Sequence, residues 1–217
     1  MPTRTSPLLL PYCITDARFS GSAPDGGVQT RAVESLAEGP LRCFYSLLDR
    51  LTDVSREDAL AFHRVLTSIF RQTAVIPVRF PTLLEGEDAL RDFLRERGPE
   101  YSAALDRLRD SVQMELHISA AHKSAAASPA SGKAYLEARR NAVQSLAAVA
   151  ERAYGQVRQL TTGWRVRAGN RPDLLRCFAL ISRDAEKDFR HRIESLQASP
   201  AIKIVLSGPW PSSEFLE

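Results

Sequence analysis

The pattern of apolar and polar positions is clearest in the second half of the chain. From Val112 to Ile118, apolar and polar residues alternate without exception, as on a β-strand that buries one face and exposes the other. A long coiled-coil-like helix is predicted over 133–160, because apolar residues there repeat every seven positions. The first seven-residue series is Leu136, Val143, Ala150 and Val157, and the second is Leu146, Ala153 and Leu160. The apolar residues that flank them are Tyr135, Ala142 and Val149.

The elements around this helix complete a domain. Residues 119–132, rich in Ala and Ser, predict a mobile surface loop before the helix. Two strands are predicted after it, at 163–168 and 174–181, followed by a second helix and a strand at 202–206. That second helix is indicated by apolar residues at helical spacing: Ala185, Phe189, Ile193 and Leu196. The order β-α-β-β-α-β is ferredoxin-like, with two helices on one face of a four-stranded antiparallel sheet.

The first half of the chain predicts a small α/β domain. Strands are expected at 8–15, 28–34 and 42–48. A helix is predicted over 56–72, since Ser55 and Asp58 form a cap-like pair ahead of apolar residues at helical spacing.

Two further elements follow in this half. Residues 75–81 predict a short strand at a sheet edge, because two prolines there remove backbone donors. A second helix opens near Glu87 and meets Gly98-Pro99, where either a break or a kink is compatible with the pattern. The sequence thus predicts an α+β protein with two domains, at 1–110 and 111–217.

Composition and charge narrow the class of protein. The chain has 217 residues, of which 44% are apolar, as in ordinary globular proteins. No apolar stretch reaches the roughly 18 to 20 residues of a membrane span, and the start lacks the apolar core of a signal peptide. The expected location is therefore the cytoplasm. A net charge of only +3, with acids and bases interleaved, argues against dedicated nucleic-acid binding.

Candidate catalytic chemistry is sparse. The sequence contains no glycine-rich phosphate loop, HExxH, CxxC or GxSxG motif. The three cysteines, Cys13, Cys43 and Cys177, are far apart, which favours reduced, buried thiols. The four histidines have structural interpretations, among them His117, which shares the polar side of its strand with Gln113 and Glu115 and is expected to face solvent. We therefore expect no enzymatic activity, metal or cofactor.

The C-terminal end carries the most distinctive local chemistry. Two prolines, Pro209 and Pro211, bracket Trp210 directly after a predicted strand, which predicts a stiff turn that fixes the direction of the ring. The favoured interpretation is that Trp210 is tucked away and closes the sheet edge. The alternative is that it contacts a partner, because rigid aromatic side chains lose little entropy on binding.

Three segments carry a resemblance to a known family. Residues 207–215 read Ser-Gly-Pro-Trp-Pro-Ser-Ser-Glu-Phe, close to a Thr-Gly-Pro-Trp-Pro-Pro-Tyr-Ser-Phe closing signature. Residues 75–80 resemble a Val-Leu-Pro-Val-Arg-Phe strand, which follows a helix containing His63 and precedes an acid-rich helix start. Residues 132–140 match Gly-Lys/Arg-Ala-Tyr-Leu-Glu-x-Arg-Arg. With these motifs the chain, from about Ser55 onward, resembles the gas vesicle protein F/L family (GvpF and GvpL).

The resemblance implies a function that composition does not. It implies a gas-vesicle-associated assembly factor or minor structural component that binds the small hydrophobic shell protein and other gas vesicle accessory proteins. The motif residues that it marks as candidates for interaction are Arg79, Phe80, Gly208, Pro209, Trp210, Pro211 and Phe215. The sequence departs from the family at 212–214, where Ser-Ser-Glu replaces Pro-Tyr-Ser. A regulatory or nucleic-acid-binding ferredoxin-like module remains the main alternative, and a hydrolase the third.

Overall fold

A computed structural model describes residues 7–49, 54–120, 131–169, 171, 173–196 and 202–216. The chain divides into two compact units, Met1–Asp110 with Pro211–Glu217, and Ser111–Trp210. Both units combine helices with antiparallel sheet, and the predicted α+β class is confirmed. Residues 211–217, which the sequence assigned to the second domain, group with the first unit.

The first unit is built on one antiparallel sheet. Its five strands are β1 Leu8–Asp16, β2 Glu34–Glu38, β3 Leu41–Leu48, β4 Ile76–Pro77 and β5 Leu84–Glu85. The order is β2-β3-β1-β4, and β5 also pairs with β1. The central strand β1 is buried from Leu9 to Thr15 on both faces, so it forms the middle of the core.

One predicted strand of this unit is wrong. Val28–Thr30 forms a 3-10 turn, and β2 begins only at Glu34. Gln29 and Thr30 have φ angles of 53° and 57°, a left-handed conformation that an extended strand does not contain. The turn is fixed from within the core, since the Val28 amide donates to the Tyr12 hydroxyl oxygen at 2.8 Å. Apolar content alone therefore predicted the wrong element.

Two helices complete the first unit. Helix α1, Arg56–Phe70, starts at a capping box in which Ser55 and Asp58 each bind the other's backbone amide, as the sequence predicts. Helix α2, Gly86–Leu108, continues through Gly98 and keeps Pro99 within it. The proline therefore does not divide α2 into two helices.

The second unit has the predicted ferredoxin-like order. Its elements are β6 Ser111–Ala120, α3 Gly132–Val157, β7 Thr161–Ala168, β8 Leu174–Ser182, α4 Glu186–Glu194 and β9 Ile202–Trp210. The antiparallel sheet has the order β7-β8-β6-β9. Of the predicted loop 119–132, Ser119 and Ala120 belong to β6 and Gly132 opens α3, while 121–130 lie outside the described residues.

The predicted seven-residue stripe of α3 holds only in part. Its described buried side chains all fall in the C-terminal half of the helix: Leu146, Val149, Ala150, Ala153 and Val157. Val143, predicted to be buried, is 44% exposed. The predicted positions Tyr135, Leu136 and Ala142 lie outside the described side chains. At Val143, therefore, the seven-residue repeat places an apolar side chain at an exposed position of α3.

The sheet of the second unit has two different faces. We call the first the helix face, because α3 and α4 pack there. The residues of β6 on this face are all fully buried: Val112, Met114, Leu116 and Ile118. The opposite face presents Gln113, Glu115 and His117 from the same strand. The prediction that these polar residues face solvent is wrong for Gln113 and Glu115, which are 4% and 8% exposed.

Candidate interaction surface

The Gly208-Pro209-Trp210 motif forms the end of a strand and not the predicted turn. Strand β9 extends to Trp210, which pairs with Gln113 of β6 after a register shift between Gln113 and Glu115. Gly208 has a φ of 115°, and a Cβ there would lie 2.9 Å from the Gln113 carbonyl oxygen. The positive φ and the close approach of the Gln113 carbonyl both require a residue without a Cβ, which only glycine provides. The motif therefore lets β9 shift register and continue along β6.

Helix α4 holds this strand end from the other side. The Arg190 guanidinium donates to the carbonyl oxygen of Gly208 and, at 2.8 Å, to the carboxylate of Glu186 one turn earlier. Because Glu186 orients the guanidinium, the bulged backbone at Gly208 has a fixed charged donor. The direction of the chain leading to Trp210 is thus set by β6 and α4 together.

Trp210 itself is accessible. The residue is 36% exposed, and its indole N–H donates to the Ser207 hydroxyl oxygen at 3.3 Å. The interpretation that Trp210 is tucked away at the sheet edge is therefore wrong about burial, although β9 is an edge strand. A large ring on a fixed backbone, with part of its surface in contact with water, has the properties of a binding side chain.

The remaining candidate residues lie in the first unit. Phe80 follows β4, and its ring centroid is 4.8 Å from that of Phe62, which in turn lies 5.1 Å from Tyr12. Phe80 therefore belongs to an aromatic row that joins α1 to β1. Arg79 is exposed, and its carbonyl oxygen accepts a hydrogen bond from the Thr82 hydroxyl at 2.6 Å.

The C-terminal segment is attached to α2. Arg107 donates to the carbonyl oxygens of Phe215 and Leu216 at 2.8 and 2.9 Å. Phe215 is buried, and Pro211 is half-buried. These contacts give Phe215 a packing role, so the seven candidate residues separate into Gly208–Trp210 on β9 and four residues of the first unit.

Sequence reasoning missed a charged network on the opposite face. Oε1 of Glu115 accepts from Nε of Arg176 at 2.6 Å and from Nε2 of His117 at 2.7 Å. Burial raises the pKa of Glu115, but the hydrogen bonds from Arg176 and His117, together with their charges, bring it below its ordinary value. The Glu115-x-His117 spacing was a visible signal; Arg176, 61 residues away, required the strand register.

Other reactive groups are held in unreactive states. All three cysteines are buried, as predicted, and burial, together with the nearby Glu151 carboxylate, raises the pKa of Cys177 to about 12. Such a thiol carries little thiolate at neutral pH. Within the described ranges, no three His, Cys, Asp or Glu side chains lie close enough to hold a metal ion. No described helix has the length and apolarity required to cross a membrane.

The fold and this surface define a class of two-unit α+β protein with an exposed aromatic residue fixed at a sheet edge. The sequence profile described as "Gas vesicle synthesis protein GvpL/GvpF" matches residues 9–217, and the chain belongs to this family.

Similar proteins include one curated relative and two crystal structures. The chain is 26% identical over 202 residues to "Gas vesicle protein L" of Streptomyces sp. (strain CB03234), covering 82% of this chain and 74% of that protein. GvpF from Anabaena sp. PCC7120 superposes with a TM-score of 0.82 over 98% of this chain and 97% of that one, at 14% identity. GvpF from Microcystis aeruginosa gives 0.76 over 97% and 99%, also at 14% identity. At this identity, the structural similarity supports the fold.

Proposed function

We propose that this chain is a non-enzymatic assembly factor or minor structural component of gas vesicles, and that it binds the small hydrophobic shell protein. The observation that carries the proposal is the family match, which extends from residue 9 to residue 217 and so includes both units. A match of this extent favours a role for this chain in gas vesicle synthesis, the process after which the family is described.

The exposed residues of β9 support contact with an apolar partner. Trp210 is joined on this strand by Val205, which is also exposed. Both pair with positions of the opposite face, Gln113 and His117. Covering exposed apolar side chains on association is favourable, and a tryptophan on a fixed backbone contributes strongly per residue.

The nucleic-acid-binding alternative lacks the stacking residues that it needs. Sheets of this order bind single strands through exposed aromatic rings on their central strands. The central strands β6 and β8 carry one aromatic residue, Phe178, and it is only 1% exposed. The Arg176 guanidinium lies 4.9 Å from the centre of its ring. Phe178 therefore has no free surface on which a base could stack.

Co-purification tests the proposed function directly. The tagged full chain is expressed with the shell protein, and we expect the two to be recovered together. Trp210→Ala should reduce recovery several-fold, whereas Val143→Ala, which truncates an exposed apolar residue of α3, should not. Failure of the folded wild-type chain to retain any shell protein would contradict the proposal. Equal loss in both variants would show that Trp210 has no special part in binding.

A further inference from the structure

A hollow of about 510 Å³ lies in the first unit, between α2 and the turn that joins β2 to β3. Its volume falls within the range of small-molecule sites in proteins, roughly 300 to 1,000 Å³. Most of the residues that line it are apolar or have no long side chain: Gly39, Pro40, Leu94, Gly98, Pro99 and Ala103. The hollow therefore has the size and the walls of a site for an apolar molecule.

Gly98 keeps the hollow open at the helix. It lies in the interior of α2 and is buried, yet a Cβ placed on it would meet no atom within 4 Å outside its own stretch of helix. Its φ is not positive, so the backbone does not require glycine. A glycine inside a helix is less stable than an alanine. Neither backbone geometry nor a close neighbour accounts for Gly98, and what its missing side chain provides is space in the hollow.

Pro99 gives the hollow a hydrogen-bond acceptor. Inside a helix, a proline has no N–H with which to bind the carbonyl oxygen four residues earlier, which in α2 is that of Arg95. Arg95 and Pro99 both line the hollow, so this oxygen lies along the same side of α2. Ser102, which also lines it, has a hydroxyl with no hydrogen-bond partner in the part of the chain that the structure describes. A ligand in the hollow thus meets two oxygens that can accept from it.

The charged residues that line the hollow are already paired. The Glu38 carboxylate accepts from Arg95 at 3.0 Å and from Arg91 at 3.3 Å. The Asp106 carboxylate accepts from Arg109 at 2.5 Å. A charged ligand would have to compete with these ion pairs and would leave water for mostly apolar walls, which is unfavourable. The hollow therefore favours a neutral ligand.

We propose that this hollow binds a small neutral compound that has a flat apolar ring and one N–H or O–H donor, the chemistry of indoles and phenols. The ring lies against Gly98, where no side chain intervenes. The donor binds the oxygens of Arg95 and Ser102, since a polar group that enters an apolar site needs a partner there. This inference goes beyond the proposed function and uses no residue of β9.

Indole and 1-methylindole test the site, because they share a ring system but only indole has an N–H donor. Ligand-observed NMR titration of the full chain measures the binding of each compound. We expect indole to bind with a dissociation constant of about 1 mM or below, as is typical of a ligand of this size. We expect 1-methylindole to bind about two- to tenfold more weakly, because one hydrogen bond is lost.

Removal of both acceptors separates the hydrogen bond from the size of the added methyl group. In the double variant Pro99→Ala/Ser102→Ala, the alanine N–H returns the Arg95 carbonyl oxygen to the helix, and the hydroxyl is absent. Alanine is a good helix former, so the variant should melt no lower than the wild type. We expect it to bind indole and 1-methylindole equally.

Filling the hollow tests its position. Gly98→Leu should weaken indole binding at least tenfold without lowering the melting temperature, because leucine is the better helix former. The matched control is Gly155→Leu in α3, where a Cβ also meets no atom within 4 Å; indole binding should not change. If Gly98→Leu does not fold, Gly98→Ala, which adds one methyl group to the hollow, should still weaken binding.

The inference is overturned by any of three results: no saturable binding of indole at ten times the expected constant, equal binding by Gly98→Leu and Gly155→Leu, or an unchanged preference for indole in the double variant. Displacement of indole by a pentapeptide with a central tryptophan that binds at least tenfold more tightly would assign the hollow to a protein partner and also overturn it. None of these results bears on co-purification with the shell protein, so the two proposals fail separately.

Discussion

The helix face and the opposite face of the second unit's sheet reach burial by different chemistry. On the helix face, β6 places Leu116 and its apolar neighbours against α3 and α4, and removal of apolar surface from water stabilises the fold. On the opposite face, the same strand buries Glu115, whose charge is tolerated because Arg176 and His117 bind it. Alternation along a strand therefore tells which residues share a face, and not which face is covered.

The largest loss of folding stability is expected when an unpaired charge is introduced into the apolar layer between the sheet and its helices. Leu146 of α3 is buried over the helix face, so Leu146→Asp should lower the free energy of unfolding by about 3 to 5 kcal/mol. Chemical denaturation of the full chain measures this loss. Val143→Asp, three residues earlier and exposed, should change it by no more than about 0.5 kcal/mol. Similar losses in both variants would mean that α3 packs along its whole length.

The second largest loss of stability is expected when a buried side chain of the helix face is truncated. Leu116 is fully buried in β6, and Leu116→Ala leaves a cavity, at a cost of about 2 to 5 kcal/mol. The loss should be independent of pH between roughly 3 and 7, since no charge changes. A cost below about 1 kcal/mol in denaturation experiments would show that the helices collapse into the space, and that the layer is less closely packed than the burial of Leu116 indicates.

The sequence predicted the parts of the fold that depend on local chemistry. The capping box at Ser55 and Asp58 gave the start of α1 to the residue, because both partners lie within one helical turn. The alternation in β6 identified that strand correctly. The predicted strand at 28–34 failed because the Tyr12 hydroxyl, distant in sequence, fixes a turn there. Local apolar content carries no information about such a contact.

The candidate surface was less predictable than the fold. The Gly208-Pro209-Trp210 motif was found from sequence, but its conformation depends on β6, which pairs with Trp210 through a shifted register. The Glu115 network likewise needs Arg176 from β8. Properties that arise from register and order require the assembled sheet.

A smaller and pH-dependent effect is expected on the opposite face. Glu115→Gln keeps the shape but removes the charge, so the hydrogen bonds from Arg176 and His117 weaken and stability falls by about 1 to 2 kcal/mol near neutral pH. The folded-state pKa of Glu115 lies below its ordinary value. The folded protein therefore binds fewer protons at this carboxyl than the unfolded chain does, and ionised Glu115 stabilises the fold above the unfolded pKa.

This contribution is lost as pH falls from the unfolded glutamate pKa of about 4.3 through the lower folded value. The difference in unfolding free energy between wild type and Glu115→Gln should shrink over that window. Denaturation at a series of pH values measures it, and because Asp16 and the other carboxylates titrate in both proteins, they cancel in the difference. A difference that grows as the pH falls would contradict the assigned direction of the pKa shift.

The smallest effect is expected for Trp210, at the exposed edge of the opposite face. Truncation of a fully buried aromatic ring costs about 3 to 5 kcal/mol, but Trp210 keeps part of its surface in water, and its indole N–H has a long hydrogen bond to Ser207. Trp210→Ala should therefore cost about 1 kcal/mol. Phe215→Ala, which empties a buried site beside the carbonyls that Arg107 holds, should cost several times more in the same denaturation experiment. If Trp210→Ala destabilises the chain as much as Phe215→Ala does, the ring belongs to the core, and loss of shell-protein binding in that variant would reflect unfolding. If Trp210→Ala costs much less stability than Phe215→Ala, the Trp210 ring lies outside the core and can contact a partner.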